Sequence, residues 1–357
     1  MKLTRTICLA LLLAAPAATP LYAQTTQPKG SLISKEKDSV VVDAETEKVI
    51  KASLKYMASQ QKPNGSWTAR DGDHPVAMTG YTIMAFLAAG HLPGEGEYGK
   101  NVTNGVNYLL SCARPDGYIT SENVHSGRKN SNMYSHGIAT IALAEVYGQT
   151  HDPKIKEKLQ ASIKLIVASQ NGEGGWRYSP QPKDADISVT VLQVVSLRAA
   201  KNAGLDVPQE TIDRAVKYVK SCYDERSGGF TYQPRNKGPG FARTAAAIYS
   251  LQVCGLYEDP MVDKGSAYLL KESRDREWFT YGHFYAAPAQ YMRGGKIWSD
   301  WYTKVRDDLM KRAKREGDLA YWDPVEGDGK GVGAVFATAV YTNILSMPYH
   351  YVPLYQR

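Results

Sequence analysis

Apolar and charged residues alternate at helical spacing over 45–60, 154–170 and 209–222. In the last of these Ile212, Ala215, Val216 and Val219 return every three or four positions with charges between them. That period predicts amphipathic helices, each burying one stripe. A second kind of segment, at 76–89, 134–147, 188–200, 243–254 and 332–345, is dense in Ala, Val, Leu and Ile. Such segments predict helices enclosed on all sides. The two kinds alternate, so the pattern is one of hairpins, each an exposed outer helix followed by a buried inner one.

A turn signature recurs between the members of each pair at intervals of 44 to 58 residues. Four copies carry Gly and an aromatic residue: Gln61, Gly65 and Trp67; Gly117 and Tyr118; Gln170, Gly174 and Trp176; Gly228 and Phe230. Weaker copies follow at 276–279, with Trp278 as the aromatic, and at 319–322, with Trp322. A fixed period of this length is the mark of a repeat architecture. The glycines suit helix C-termini, where a left-handed residue ends the helix and the aromatic folds back onto the hairpin. Six hairpins of alternating exposed and buried helices predict an all-α fold, an α6/α6 toroid spanning 41–357.

The spacing Gln-x-x-x-Gly-x-Trp, met at 61–67 and 170–176, is similar to the QW repeat of squalene-hopene and oxidosqualene cyclases. The β subunits of protein prenyltransferases are related toroids. A closer likeness, carried by 134–143, 174–180, 186–190 and 349–355, is to exported bacterial prenyltransferase and squalene-oxidase repeat proteins. The resemblance implies the toroid over nearly the whole of 41–357. Chemistry does not follow from the fold.

Composition and the N-terminus add a compartment. Residues 1–23 carry Lys2 and Arg5, a short apolar run and a small-residue end without an acidic residue, which predicts a secretory signal peptide. The run is shorter than the roughly 20 residues a membrane helix needs, and no later stretch reaches that length. Residues 24–40 have the composition of a flexible leader. Export to the periplasm or medium is expected, with no transmembrane helix. Losing Lys2 and Arg5 takes the formal charge from +7 to +5, spread without a basic stripe, so no nucleic-acid partner is implied. Cys112, Cys222 and Cys254 lack metal or redox spacing and sit in apolar helical contexts, which predicts buried free thiols.

The resembled families imply specific catalytic residues. Squalene-type cyclases begin with Asp-x-Asp-Asp at the start of an inner helix. Asp184 and Asp186 stand at that place, but Ile187 replaces the third Asp. Asp186 is thus a candidate proton donor, but the favoured reading is that Asp186, or Ser188, caps a helix. Prenyltransferase zinc needs an Asp-x-Cys pair, and a thioester toroid needs Gly-Cys-Gly-Glu-Gln; neither occurs, and no cofactor is called for.

Parallel inner helices put their N-termini at one end of the barrel. Asp73, His74, Tyr134, His136, Asp184, Asp186, Arg243, Tyr281, His283 and Tyr285 fall at or near those starts and are the candidate pocket residues. Helix N-termini and Arg243 favour an anion, whereas a carboxyl with a His or Tyr suits a glycosidase or lyase. His136, His283 and Asp186 are also of metal-ligating type. Two functions follow as expectations: a toroid with a central pocket for a hydrophobic or anionic small molecule, or a scaffold that holds another exported protein on its rim.

Overall fold

The computed structural model describes residues 40–355 apart from 71, 122–131, 237, 274, 276 and 329–331. The predicted signal peptide and, but for Val40, the leader lie outside them. Among the described residues twelve α-helices alternate as the sequence pattern requires. The outer helices are α1 (Ala44–Ser59), α3 (Gly99–Ser111), α5 (Pro153–Ala168), α7 (Gln209–Ser221), α9 (Pro260–Lys271) and α11 (Gly295–Arg312). The inner ones are α2 (Pro75–Ala88), α4 (Met133–Thr150), α6 (Ile187–Asn202), α8 (Phe241–Val253), α10 (Phe279–Arg293) and α12 (Gly333–Ser346). Every residue of α2 after Pro75 is buried, whereas α7 buries Thr211, Ile212, Ala215, Tyr218 and Val219 and exposes its charges. Each inner helix packs on the next, and α12 packs back on α2. The ring is therefore closed, and the fold is an α/α toroid.

Closure is stitched at the seam between the first and last hairpins. Ser53 of α1 shares a hydrogen bond with Thr342 of α12 at 2.7 Å. A small antiparallel pair, β1 (Lys314–Glu316) and β2 (Leu319–Tyr321), lies beside α1, where Tyr321 stacks on Tyr56 at 4.8 Å. At the far end two 3₁₀ turns, Met347–Tyr349 and Pro353–Tyr355, carry the chain beneath the C-termini of the inner helices. Tyr355 is fixed there by Asn343 of α12 at 2.9 Å, His350 by the Tyr291 hydroxyl of α10 at 2.6 Å, and the Leu354 amide donates to Glu145 of α4 at 3.4 Å.

The repeat signature has a physical explanation at every position. Gly65, Gly117, Gly174 and Gly228 have φ of 88°, 89°, 94° and 79°. They are not helix C-caps, which are Gln60, Cys112, Ser169 and Cys222; each glycine lies in the turn that follows. A Cβ at Gly65, Gly117 or Gly174 would overlap a backbone carbonyl of the next outer helix, at Asn104, Ala161 and Arg214 respectively. The turn thus packs on bare backbone, and only glycine permits it. Gln61 and Gln170 each donate to the carbonyl of their own glycine, at 2.9 and 2.8 Å, and to the next outer helix at Asn101 and Thr211, both at 2.9 Å.

The aromatic closes the unit. Trp67, Trp176 and Trp322 are buried, and their indole N–H groups donate to Met57, Ile166 and Leu309 carbonyls near the end of the preceding outer helix. Their amides, with that of Phe230, donate to Thr79, Thr190, Thr338 and Thr244 on the following inner helix. In the second repeat the equivalent amide belongs to Ile119, which donates to His136 Nδ1 at 3.1 Å. The anchor there is Ile119, one residue beyond Tyr118, and His136 occupies the place of the threonines. Trp278 is not an anchor either: it is the N-cap residue of α10 and is 49% exposed.

Cys112, Cys222 and Cys254 are free thiols, the first two buried and the third partly so. No described helix is long and apolar enough to cross a membrane.

Candidate functional site

All six inner helices begin at the same end of the ring, and there the axis opens into a cavity of about 550 Å3. Its floor is aromatic, because the first two turns of these helices place Tyr81, Tyr134, Tyr281 and Phe336 toward the axis. Tyr81 lies edge-on to Phe284 at 4.9 Å and to Phe336 at 5.0 Å, and Tyr281 lies edge-on to Tyr285 at 4.9 Å. The Tyr81 and Tyr134 hydroxyls share a hydrogen bond of 2.7 Å, while Tyr281 donates to the Ser188 carbonyl at 3.2 Å. Burial pushes all four phenols, Tyr285 included, above the ordinary tyrosine range, so the floor is uncharged at any physiological pH.

The rim comes from the loops that lead into the inner helices and from the first turn of α8, and it is polar. Arg243, Asp275, Glu277, Asp328, Asn132 and Asn236 line it, beside His74, Tyr178, Tyr232 and Trp278. Arg243 donates to Glu277 at 2.8 Å and to the Gly238 carbonyl at 3.0 Å. Asp328 accepts from the Thr280 amide at 2.8 Å and from its hydroxyl, holding the start of α10 as a capping carboxylate does. Three carboxylates and one guanidinium thus share the rim, the guanidinium paired to one of them. Trp278 and Tyr178, 49% and 43% exposed, present apolar faces at this rim. His74 and Trp278 hold left-handed φ values of 54° and 55°, which cost free energy for non-glycine residues and cluster at functional sites in folded proteins.

Of the sequence candidates, His74, Tyr134, Arg243 and Tyr281 line the cavity, and Tyr285 lies directly beneath its floor. The others point elsewhere. His136 is buried against the 118–119 turn, and burial pushes its imidazole down to about 4, so it serves α4 as a neutral acceptor. His283 bonds the Phe279 carbonyl at 2.9 Å and stacks with Phe241 and Trp301 on the outward side of α10. Asp73 uses its carbonyl to accept from the Ala69 amide and does not line the cavity. His136, His283 and Asp186 do not converge, and no cluster of three metal-ligating side chains occurs among the described residues.

Asp186 is the N-cap of α6, accepting from the Val189 amide at 2.8 Å, and its second oxygen lies 3.1 Å from Arg177 Nε. Asp184 takes the other side of the same guanidinium at 2.8 Å. Arg177 is thereby held over the rings of Tyr178 and Tyr232, at 5.7 and 5.6 Å, behind the cavity wall. Burial raises the Asp186 carboxyl above the usual range, against the lowering effect of Val189, Tyr232 and Arg177. Asp186→Ala is expected to cost at least the ~1 kcal/mol of a lost cap, and Asp186→Asn less, because asparagine still caps. Urea denaturation of both variants decides; equal losses would mean that the ion pair with Arg177, not the cap, is what Asp186 contributes to stability.

The ring of six hairpins with a one-ended axial cavity defines an α/α toroid of the kind shared by terpene cyclases and several sugar-acting enzymes. Within that class, the chain belongs to the family described as domain of unknown function DUF6288, whose signature matches residues 46–243. A 186-residue stretch is 27% identical to drimenyl diphosphate synthase of Streptomyces showdoensis, covering 52% of this chain and 32% of that protein. A 130-residue stretch is 27% identical to a lanosterol synthase of Aspergillus fumigatus, covering 35% and 16%. The chain thus spans a third or less of the curated relatives it matches.

Among solved structures, cellobiose 2-epimerase from Bacillus thermoamylovorans superposes with a TM-score of 0.65 at 13% identity, over 87% of this chain and 99% of that one. An inactive variant of the alpha-1,6-mannanase of Salegentibacter sp. HEL1_6, in complex with alpha-1,6-mannotriose, gives 0.64 at 9% identity over 86% and 99%. A variant of the type II terpene cyclase MstE from Scytonema gives 0.57 at 13% identity over 86% and 98%. At these identities the likeness is one of fold.

Proposed function

We propose that the mouth of the toroid binds a neutral, polyhydroxylated ligand, a saccharide. The observation that carries this reading is the chemistry of the rim: Asp275, Glu277, Asp328, Asn132 and Asn236, most of them held in place by bonds to the loops and helix starts, line it beside the exposed faces of Trp278 and Tyr178. Aromatic faces stack on the apolar faces of sugar rings, while fixed polar groups set orientation. An anionic ligand fits less well, since Arg243 is neutralised by Glu277 and two further carboxylates remain. The mannanase among the fold neighbours was captured with alpha-1,6-mannotriose, and an exported protein, as residues 1–23 predict, meets polysaccharide directly.

A second reading, a pocket for an uncharged isoprenoid, is supported by the floor of Tyr81, Tyr134, Tyr281 and Phe336 and by the stretch similar to drimenyl diphosphate synthase. A scaffold finds less support, because the exposed large apolar residues away from the mouth, Val41, Leu270 and Tyr351, stand on separate elements.

Intrinsic fluorescence separates the first two readings. Trp67, Trp176, Trp298, Trp301 and Trp322 are buried, so a ligand-induced change reports on Trp278. Titration with alpha-1,6-manno-oligosaccharides or alpha-1,6-gluco-oligosaccharides is expected to give a saturable change. In Trp278→Ala, affinity measured by calorimetry falls about tenfold, the equivalent of ~1.4 kcal/mol of stacking. Saturation by farnesol with no response to either sugar series would replace the saccharide reading with the isoprenoid one.

A further inference from the structure

Resting on the saccharide reading, we infer that the site takes the end of a saccharide chain and not a stretch from its interior. A polysaccharide bound along its length needs an open groove with two exits. Here the walls are complete: each of the six inner helices, or the residue that caps it, contributes to the lining, from His74 at α2 round to Val332 at α12. The axis is shut at the other end. Residues 347–355 pass beneath the inner helices, with Leu354 and Tyr355 buried and tied to Glu145 of α4 and Asn343 of α12. Among the described residues the cavity is a pit with one entrance, and a pit admits a chain terminus and not an interior stretch.

The chemistry of the wall changes with depth in a way that suits a terminus. The floor offers uncharged phenols whose hydroxyls are partly spent on one another and on Ser188. It can seat one sugar ring edge-on and give it a few hydrogen bonds. The carboxylates that line the cavity, Asp275, Glu277 and Asp328, all belong to the loops at the mouth, together with Trp278. A chain entering end-first puts its terminal ring on the floor. The linkage to its second ring then lies level with the carboxylates, and the second ring lies against Trp278.

Chain length tests this directly. The full protein is titrated by calorimetry with alpha-1,6-linked mannobiose, mannotriose and mannotetraose, with a linear alpha-1,6-mannan of known mean length, and with the matching glucan series. End binding predicts that affinity rises to two or three rings and then stays constant per mole of chain. A polymer 25 times longer than the tetraose then shows an apparent Kd per mole of ring about 25-fold higher. A Kd that stays constant per mole of ring across tetraose and polymer means the interior is bound, and overturns the inference while leaving the saccharide reading intact. Absence of binding by every member of both series removes the saccharide reading itself, and the inference with it.

Discussion

Glu145→Gln stabilises the protein at pH 9 and has almost no effect at pH 5. The side chain sits on α4 near the closed end of the barrel, 3% exposed, and its described hydrogen-bond partner is the Leu354 amide at 3.4 Å. Burial pushes its carboxyl up to about 8, overriding the smaller lowering effect of that amide. The sign follows from proton counts. Between the ordinary glutamate range and pH 8 the folded chain keeps a proton that the unfolded chain has released, so stability falls as pH rises through that window and levels off above it. A difference of that size corresponds to roughly 5 kcal/mol at full extent. Glutamine keeps an acceptor for Leu354 and cannot ionise, so the loss is abolished. His136 acts oppositely and lower down: its imidazole, held at about 4, costs stability as pH falls below the ordinary histidine range. Both effects are read from guanidinium denaturation of the two proteins at pH 5, 7 and 9, where His136 is common to both. A variant that is destabilised by the same amount at all three pH values would show that Glu145 is not held as a buried neutral acid.

The repeat was legible because it is local. Gln, Gly and Trp at 61, 65 and 67 and again at 170, 174 and 176 are separated by fixed short distances, and each makes a bond or a close approach that demands that residue type. The alternation of amphipathic and enclosed helices was legible for the same reason: burial on one side or on all sides writes itself into the 3.6-residue period. What failed was register and depth. Tyr118 has the anchor's aromatic character, yet Ile119 has its position, since the turn is defined by the amide that reaches the inner helix. His136 looked like site chemistry because histidine so often is, yet here it replaces the threonine of the other repeats. Asp186 was open between a cyclase acid and a helix cap on sequence alone, because both need a carboxylate at a helix start; one oxygen caps α6, and the other lies 3.1 Å from Arg177 Nε. The rim acids Asp275, Glu277 and Asp328 went unseen. They lie in loops without periodicity, and whether a loop residue faces the axis depends on where the next helix starts in space. The one available signal was an acidic residue within a few positions of an inner helix, and such residues are commoner than sites.

Trp176→Ala is expected to cost ~3–5 kcal/mol, the range for removing a buried aromatic that the surroundings cannot collapse to replace. The turn is pinned at both ends: 170–176 rests on α7 through Gly174, and the indole donates to the Ile166 carbonyl at 2.7 Å. Trp176→Phe keeps most of the volume and loses the indole bond, so its cost is expected near 1–3 kcal/mol. Phe230, which holds the equivalent place in the fourth repeat without such a donor, shows that the ring alone suffices to close a hairpin. The second repeat supplies the sharper comparison. Ile119 is fully buried and Tyr118 only partly so. Ile119→Ala should therefore cost ~2–5 kcal/mol and Tyr118→Ala clearly less. Urea denaturation of the four variants measures this, and a larger loss at Tyr118 than at Ile119 would return the anchor to the aromatic. Each inner helix packs on its two neighbours in a closed ring, and Tyr81, Tyr134 and Tyr281 add contacts across the axis. A weakened anchor at the second or third repeat therefore also loosens the helices whose N-termini form the cavity wall, so these anchor variants should lower ligand affinity together with stability.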